Sequence, residues 1–421
     1  MKKILVISRG AWNSNNSTGN TLNNFFSSTN NCEFHNVYLR AETPGNNCCK
    51  SIYQITEHGL LRSLKTLNQT GKVLNSTPSE KEAKKEEQFY RSYQNKNLYS
   101  LWFARDLLWT IGNWRKNLKH YIREIDPDVI FMPVFGCVYA HKVLSIIQKE
   151  SHAKVVLFHA DDHYSLKHKN TSPLFWLYRF WLRKWIRHSV KSSAINYCIS
   201  DLQIIDYNKY FHTQCKLLQK FGDFSCPMPQ SHIGNPINIV FTGNMECGRW
   251  KSLALIAESV NVINTKLGLR CTLDIYSATK LNRNQQLLFD GKMGVSIKGF
   301  VQSSNIPDIQ NHADILVHVE SFDLNDKLRV RQSFSTKIVD YLSKGKCILA
   351  VGPSDVASIQ YFEKHDAGYV INDGKEINNK LLYLVTNENI MSEYAQKAWA
   401  CGSKNNNNAK KDEFIQELLN L

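Results

Sequence analysis

The sequence predicts an α/β protein of two doubly wound domains, each built on a mainly parallel sheet. Three observations predict it. A chain of 421 residues exceeds what one hydrophobic core organises. Short apolar runs alternate with longer helical patterns, as βαβ units require. The alternation also occurs twice, in series divided by a cluster of chain breakers, Gly222, Asp223, Pro227, Pro229, Gly234 and Pro236. The expected boundaries are a first domain over 1–228, a linker over 229–236, a second domain over 237–385 and a helical tail over 386–421.

The first series opens with Ile4 to Ile7. Two lysines precede it, but its apolar run stops after four residues at Ser8 and Arg9, so it reads as a strand and not as a secretory signal. A polar stretch follows, with a charge run from Ser79 to Gln88 that suits a solvated helix or loop. Asp126-Pro127-Asp128 then turns the chain into a buried strand, Val129 to Met132, and Val155 to His159 gives the next. The second series is more regular. Strands are expected at Ile237 to Phe241, Cys271 to Tyr276, Val295 to Lys298, Ile315 to Val319 and Cys347 to Val351, with helices at about Lys251 to Thr265 and Ser335 to Ser343. In the tail, the Asn405 to Asn408 tract precedes a helical pattern from Lys410 to Leu419 that caps the fold.

Composition narrows the function classes. Hydrophobic residues at 43% and charged residues at 21% exclude a mostly disordered chain. No window approaches the ~20 uncharged apolar residues that cross a bilayer. The eleven cysteines are odd in number and contain no C-x-x-C pair, which points to reduced, buried thiols and a cytoplasmic location. A net charge of +15 attracts polyanions, nucleotide phosphates or an anionic membrane.

Two places carry chemistry. After the strand Ile237 to Phe241 comes Thr242-Gly243-Asn244, with Arg249 and Lys251 at the opening of a helix. Glycine admits backbone close to a ligand at the carboxyl end of a parallel strand, and the basic pair can hold a diphosphate. Further on, Ala313 to Phe322 leads into Ser333-Phe334-Ser335-Thr336-Lys337 and a helix bearing Asp340. Ser335 and Thr336 suit an N-cap whose free amides meet a phosphate, and a carboxylate at Asp340 can accept from a ribose diol. An ordinary capped helix with an exposed aspartate explains the same residues.

These residues resemble the donor half of retaining family 4-like glycosyltransferases of the GT-B fold, of the bacterial surface-polysaccharide type. The likeness spans Ile237 to Ile371 and is tightest from Ser335-Thr336-Lys337 to Tyr341-Leu342 and Gly345-Lys346, then Ile348 to Pro353. It implies two Rossmann-like domains facing a central cleft, an amino-terminal acceptor domain and a carboxyl-terminal nucleotide-sugar donor domain. It also implies donor binding by Gly243, Arg249, Lys251, Ser335, Thr336, Lys337 and Asp340. In the family two glutamates flank the donor, separated by seven residues, and here the second is the shorter carboxylate of an aspartate. Asp340 matches the second, the ribose ligand. Glu320 is preferred over Asp323 for the first, the one near the sugar, although its spacing to Asp340 is 20 residues, with Asp323 to Gln332 as an inserted charged loop. In the first half, Gly19 matches the family's glycine after strand one. His159, at the end of its strand, matches a histidine beside the donor sugar, and Asp161 and Asp162 fall on the acceptor side. The cluster His159 to His163 also offers metal ligands, or a simple helix cap; the family's metal-independent chemistry favours no metal and no cofactor beyond the sugar nucleotide itself.

Ser172 to Lys191 holds six aromatic and five Lys/Arg residues with no acid. On a helix Leu174, Tyr178, Trp181 and Trp185 form one row and Arg179, Arg183 and Arg187 another, a pattern suited to the headgroups of an anionic membrane, or to a core helix with snorkelling arginines. The combined expectation is a cytoplasmic, peripherally membrane-associated hexosyltransferase of polysaccharide biosynthesis. Its partners are a nucleotide-sugar donor and a glycan or lipid-linked acceptor. A nucleotide-sugar 2-epimerase of the same fold is the alternative enzyme. A nucleic-acid-binding protein also suits the charge, but no nucleic-acid motif is present and no nucleic-acid partner is expected.

Overall fold

The computed structural model describes residues 1–13, 17–27, 29, 31–45, 48–66, 70–74, 98–111, 113–229 and 232–421. The charge run Ser79 to Gln88 lies outside the described residues. The chain forms two units, Met1–Leu218 with Glu413–Leu421, and Gln219–Asp412. The stretch 229–236 therefore falls within the second unit, and the last nine residues belong to the first.

The first unit is an eight-stranded sheet of order β4-β3-β2-β1-β5-β6-β7-β8. Its strands are β1 (Lys2–Ser8), β2 (Cys32–Tyr38), β3 (Cys49–Gln54), β4 (Lys72–Val73), β5 (Val129–Pro133), β6 (Lys154–His159), β7 (Ile195–Cys198) and β8 (Cys215–Leu217). All neighbours pair in parallel except β3 with β4. In β1 the run Ile4 to Ser8 is buried throughout, as a strand covered on both faces must be. Asp128 fixes the entry to β5: its carboxylate accepts from the Lys3 amide at 2.8 Å while its own amide donates to Lys3 O at 2.9 Å. Strand β2 lies where the sequence reads as merely polar. Its buried His35 bonds to Ser51 and Glu33, and the Asn36 side-chain amide donates to Val6 O and Ser8 Oγ, so polar residues occupy strand positions through internal hydrogen bonds.

The amphipathic rows expected on the helix Pro173–Lys191 are placed differently. Tyr178 is buried and donates to Asp106, and Trp181 stacks on Phe103 of the helix Tyr99–Leu108 at 5.8 Å. The arginine row is engaged as well: buried Arg179 donates to Ser165 O and to Asp162, while half-buried Arg183 and exposed Arg187 hold Tyr164. These guanidiniums staple the loop after β6. What faces outward is a third row, Leu174, Leu177 and Phe180, continued by Lys184 and Lys191.

The second unit is a six-stranded parallel sheet of order β11-β10-β9-β12-β13-β14. Its strands are β9 (Ile237–Thr242), β10 (Cys271–Tyr276), β11 (Val295–Gly299), β12 (Ile315–Val319), β13 (Cys347–Val351) and β14 (Tyr369–Ile371). The helix Arg249–Leu267 packs against Ile377–Thr386, and Leu253, Ile256, Val260 and Ile263 of the first bury one stripe at helical spacing. The segment 323–332 is not a loop: Asp323 caps a short helix, Leu324–Val330, by accepting from the Asn325 amide.

Candidate active site

The strand order of the second unit reverses between β9 and β12, and at such a switch point the carboxyl ends of parallel strands leave room for a ligand. β9 ends in Thr242, which is gripped from several sides. Lys337 Nζ donates to its carbonyl at 2.9 Å, Tyr341 Oη lies 3.0 Å from its hydroxyl, and Gln310 donates to the same hydroxyl at 3.2 Å. A Cβ on Gly243 would run into Lys337 Nζ, so the glycine lets the lysine lie across the strand end. The loop then passes through two left-handed residues, Cys247 (φ 53°) and Gly248 (φ 72°), which turn the chain into the helix that starts at Arg249.

Arg249 and Glu320 form the centre. Arg249 Nε and Nη2 donate to the two oxygens of Glu320 at 3.1 and 2.9 Å, and Nη1 donates to Asn244 at 2.9 Å. Glu320 follows β12 and is 2% exposed; Ser252 donates to its carbonyl, and Gly352 leaves only 3.1 Å between a would-be Cβ and Glu320 Cβ. Burial raises the Glu320 carboxyl, and the arginine works against that rise. Lys337 is pushed down to about 8, first by burial and then by Arg249. His318, one residue pair back on β12, has Nε2 3.7 Å from Glu320 and is held neutral near 3 by burial, Arg249 and Lys337. Among the described residues its Nε2 has no hydrogen-bond partner. Nothing in the spacing singled out His318, since a lone histidine inside an apolar strand reads as core.

The other expected donor residues lie at the margin. Lys251 is about half exposed and pairs with Asp323 at 3.2 Å and Asp326 at 3.6 Å. Asp340 is paired with Lys220, a residue the sequence did not point to. Ser335 and Thr336 do not cap as expected: the helix is only Lys337–Leu342, Thr336 already has helical dihedrals, and its side chain makes no cap bond.

In the first unit, a Cβ on Gly19 would overlap the Asn13 backbone, so that glycine serves a close chain approach. His159 is buried, with its ring edge-on to Tyr207 at 4.9 Å and Nε2 3.4 Å from Asn196; burial lowers it to about 4. Asp162 is likewise buried and accepts from the Tyr164 and Ser165 amides and from Arg179. Burial works against its ionisation, but Arg179 and Ser165 bring it below its ordinary value. Asp161 is exposed, and its carbonyl accepts from Gln203. His163 packs against Gly136, with Nδ1 2.9 Å from where a Cβ would stand there.

Two Rossmann-like parallel-sheet units match the GT-B fold of glycosyltransferase structures. No family model and no curated protein sequence matches the chain. Among solved structures, the sucrose-phosphate synthase of Thermosynechococcus elongatus matches with a TM-score of 0.67 at 9% identity, over 100% of this chain and 98% of that one. Anabaena Alr3699/HepE, solved with UDP and glucose, matches with 0.65 at 11% identity over the whole of both chains. WaaG, a glycosyltransferase of lipopolysaccharide biosynthesis, matches with 0.60 at 12% identity over 99% of each. Against the TarM structures the chain spans about three fifths of their length, 60% and 59%.

Proposed function

We propose that the protein is a glycosyltransferase that moves a hexose from a nucleotide-sugar donor to a hydroxyl of a glycan or lipid-linked glycan acceptor in surface-polysaccharide synthesis. The observation that carries it is the convergence of Arg249 and Lys337 with buried Glu320 at the switch point of the second unit. Cationic groups fixed there stabilise the charge that develops on the departing nucleoside diphosphate, the step at which stabilisation accelerates transfer. Glu320 orients Arg249, and Asp340, steered by Lys220, accepts from the ribose. HepE was solved with UDP, so UDP is the first nucleotide to test. No metal is assigned a role, and EDTA should leave turnover unchanged.

The membrane side of the reading rests on the outward row of Pro173–Lys191. Leu177 is 60% and Phe180 56% exposed, with Lys184 and Lys191 further along the same face. Such a face suits an anionic bilayer and has no use in an epimerase that acts on a free sugar nucleotide. The decisive experiment is calorimetric titration of wild type and Lys337→Met with UDP, GDP, ADP and CMP. Selective binding of one nucleotide that weakens about tenfold in the variant is the expected result, about 1.4 kcal/mol. No binding of any nucleotide at millimolar concentration would overturn the proposal.

A further inference from the structure

His318 lies on β12 two residues before Glu320, so the two side chains share one face of the sheet. The imidazole is 6% exposed, and its Nε2 stands 3.7 Å from Glu320 Oε1, beyond hydrogen-bond length. A buried polar atom without a partner thus sits beside a buried carboxylate without bonding to it.

The carboxylate is spoken for by Arg249, whose Nε and Nη2 donate to its two oxygens and whose charge balances it. That pairing offsets the charge Arg249 can offer a diphosphate. To serve the phosphates in full the guanidinium must give up Glu320, and the carboxylate cannot follow it. The Glu320 amide donates to Val351 O at 2.8 Å, its carbonyl accepts from Ser252 at 2.7 Å, and Gly352 packs against its Cβ. A buried carboxylate left behind needs a new partner, because water does not solvate it there. The charged or titratable groups that face the pair are Arg249 and Cys247 from the segment after β9 and Lys337 from the helix Lys337–Leu342. β13 brings Ala350 beside His318, and the helix Ala357–His365 brings Phe362, its ring 5.7 Å from the imidazole; neither titrates. With Arg249 and Lys337 bearing on it, the buried imidazole is neutral before a ligand arrives. A diphosphate draws both cations to itself and lifts that restraint.

We propose that His318 is a positioning residue: as Arg249 turns from Glu320 to the donor diphosphate, the imidazole takes one proton from solvent at Nε2 and donates the new N–H to Glu320, holding the carboxylate in place. The buried carboxylate exchanges one cation for another, and the site gains the diphosphate and one proton. Naming the ligand as the donor rests on the glycosyltransferase reading; the exchange of partners on Glu320 needs only a diphosphate.

The test is calorimetric titration of the full chain with UDP, GDP, ADP and inorganic pyrophosphate in buffers of different ionisation heat, which counts the protons taken up per ligand bound. It is run at about pH 6, where Lys337, at about 8, is already charged. The reading is the difference between wild type and His318→Leu, which cancels the titration of the ligand's own phosphate. The expected result is an excess of about one proton per ligand in wild type, lost in Glu320→Gln as in His318→Leu. Imidazole nitrogen NMR of the histidine-labelled protein should show the His318 signals, identified by their absence from the variant, changing from the neutral to the cationic pattern at saturation. Should His318→Leu melt early, His318→Gln, which hydrogen-bonds but does not titrate, gives the same reading. Ligand binding with no proton excess, or with an imidazole that stays neutral, overturns the role of His318 and leaves the donor reading standing. A proton excess with pyrophosphate in a protein that binds no nucleotide keeps the exchange and removes the donor reading. Failure of every probe to bind removes both.

Discussion

A lysine ammonium pressed against the Thr242 carbonyl and flanked by Arg249 titrates near the pH at which the protein must work. With Lys337 at about 8, it is mostly charged at pH 7 and mostly neutral at pH 9.5. A diphosphate needs the charged form, so nucleotide affinity should fall between those pH values in wild type and stay flat in Lys337→Met, as read by titration calorimetry. For stability the sign is opposite. The unfolded chain binds this proton up to the ordinary lysine range and the folded chain only up to about 8, so the contribution rises with pH across that window and is lost as pH falls through it. Glu320→Gln removes the charged half of a buried bidentate pair. It should lower the stability of the second unit by about 3 kcal/mol, and a double-mutant cycle with Arg249→Met should show coupling above about 1 kcal/mol in urea unfolding. Glu320 and Arg249 were legible in the sequence because each sits at a fixed offset from a well-marked strand. Lys220 was not, because its partner Asp340 lies far away along the chain, and His318 was not, because a lone histidine in an apolar strand reads as core.

At the scale of elements, the helix Arg249–Leu267 depends on how it is entered. Gly248 has φ 72°, and a Cβ there would meet Asp326 and the Ser321 hydroxyl at the same time. Gly248→Ala should cost about 1–3 kcal/mol and shift Arg249, seen as a loss of nucleotide affinity larger than the loss of melting stability alone explains. The central strands of the second unit could be read from the sequence to within a residue at either end, since an unbroken apolar run between turn residues has one explanation in a parallel sheet. β2 could not, because Cys-Glu-Phe-His-Asn-Val-Tyr hides a buried strand behind polar side chains that bond to one another. On Pro173–Lys191 the helix itself was legible but its orientation was not. Arginine at helical spacing looks solvated until the carbonyls it serves, those of Asp162, Tyr164 and Ser165, are brought to it by the fold.

At the scale of the molecule, each unit has its own core, one around β1, β5 and β6 and one around β9, β12 and β13. A nucleotide at the switch point of the second should stabilise residues 219–412 by about 2.7 kcal/mol at a hundredfold excess over Kd and leave the first unit as it was, a difference hydrogen exchange resolves segment by segment. The two-domain plan was legible from the repeated alternation, but the destination of the tail was not. Phe414 packs with Phe25 at 5.7 Å, Phe26 at 5.9 Å, Phe131 at 6.2 Å and Tyr197 at 5.4 Å, a contact set no local pattern announces. Glu417 adds bonds to Tyr197 and Lys216. On the ribosome this inverts the order of completion. The half of the chain that emerges first must wait, with an aromatic socket open, while the whole second unit is synthesised and folds, and it closes only when residue 414 arrives. A released chain truncated after residue 412 should carry a finished second unit and an unfinished first one.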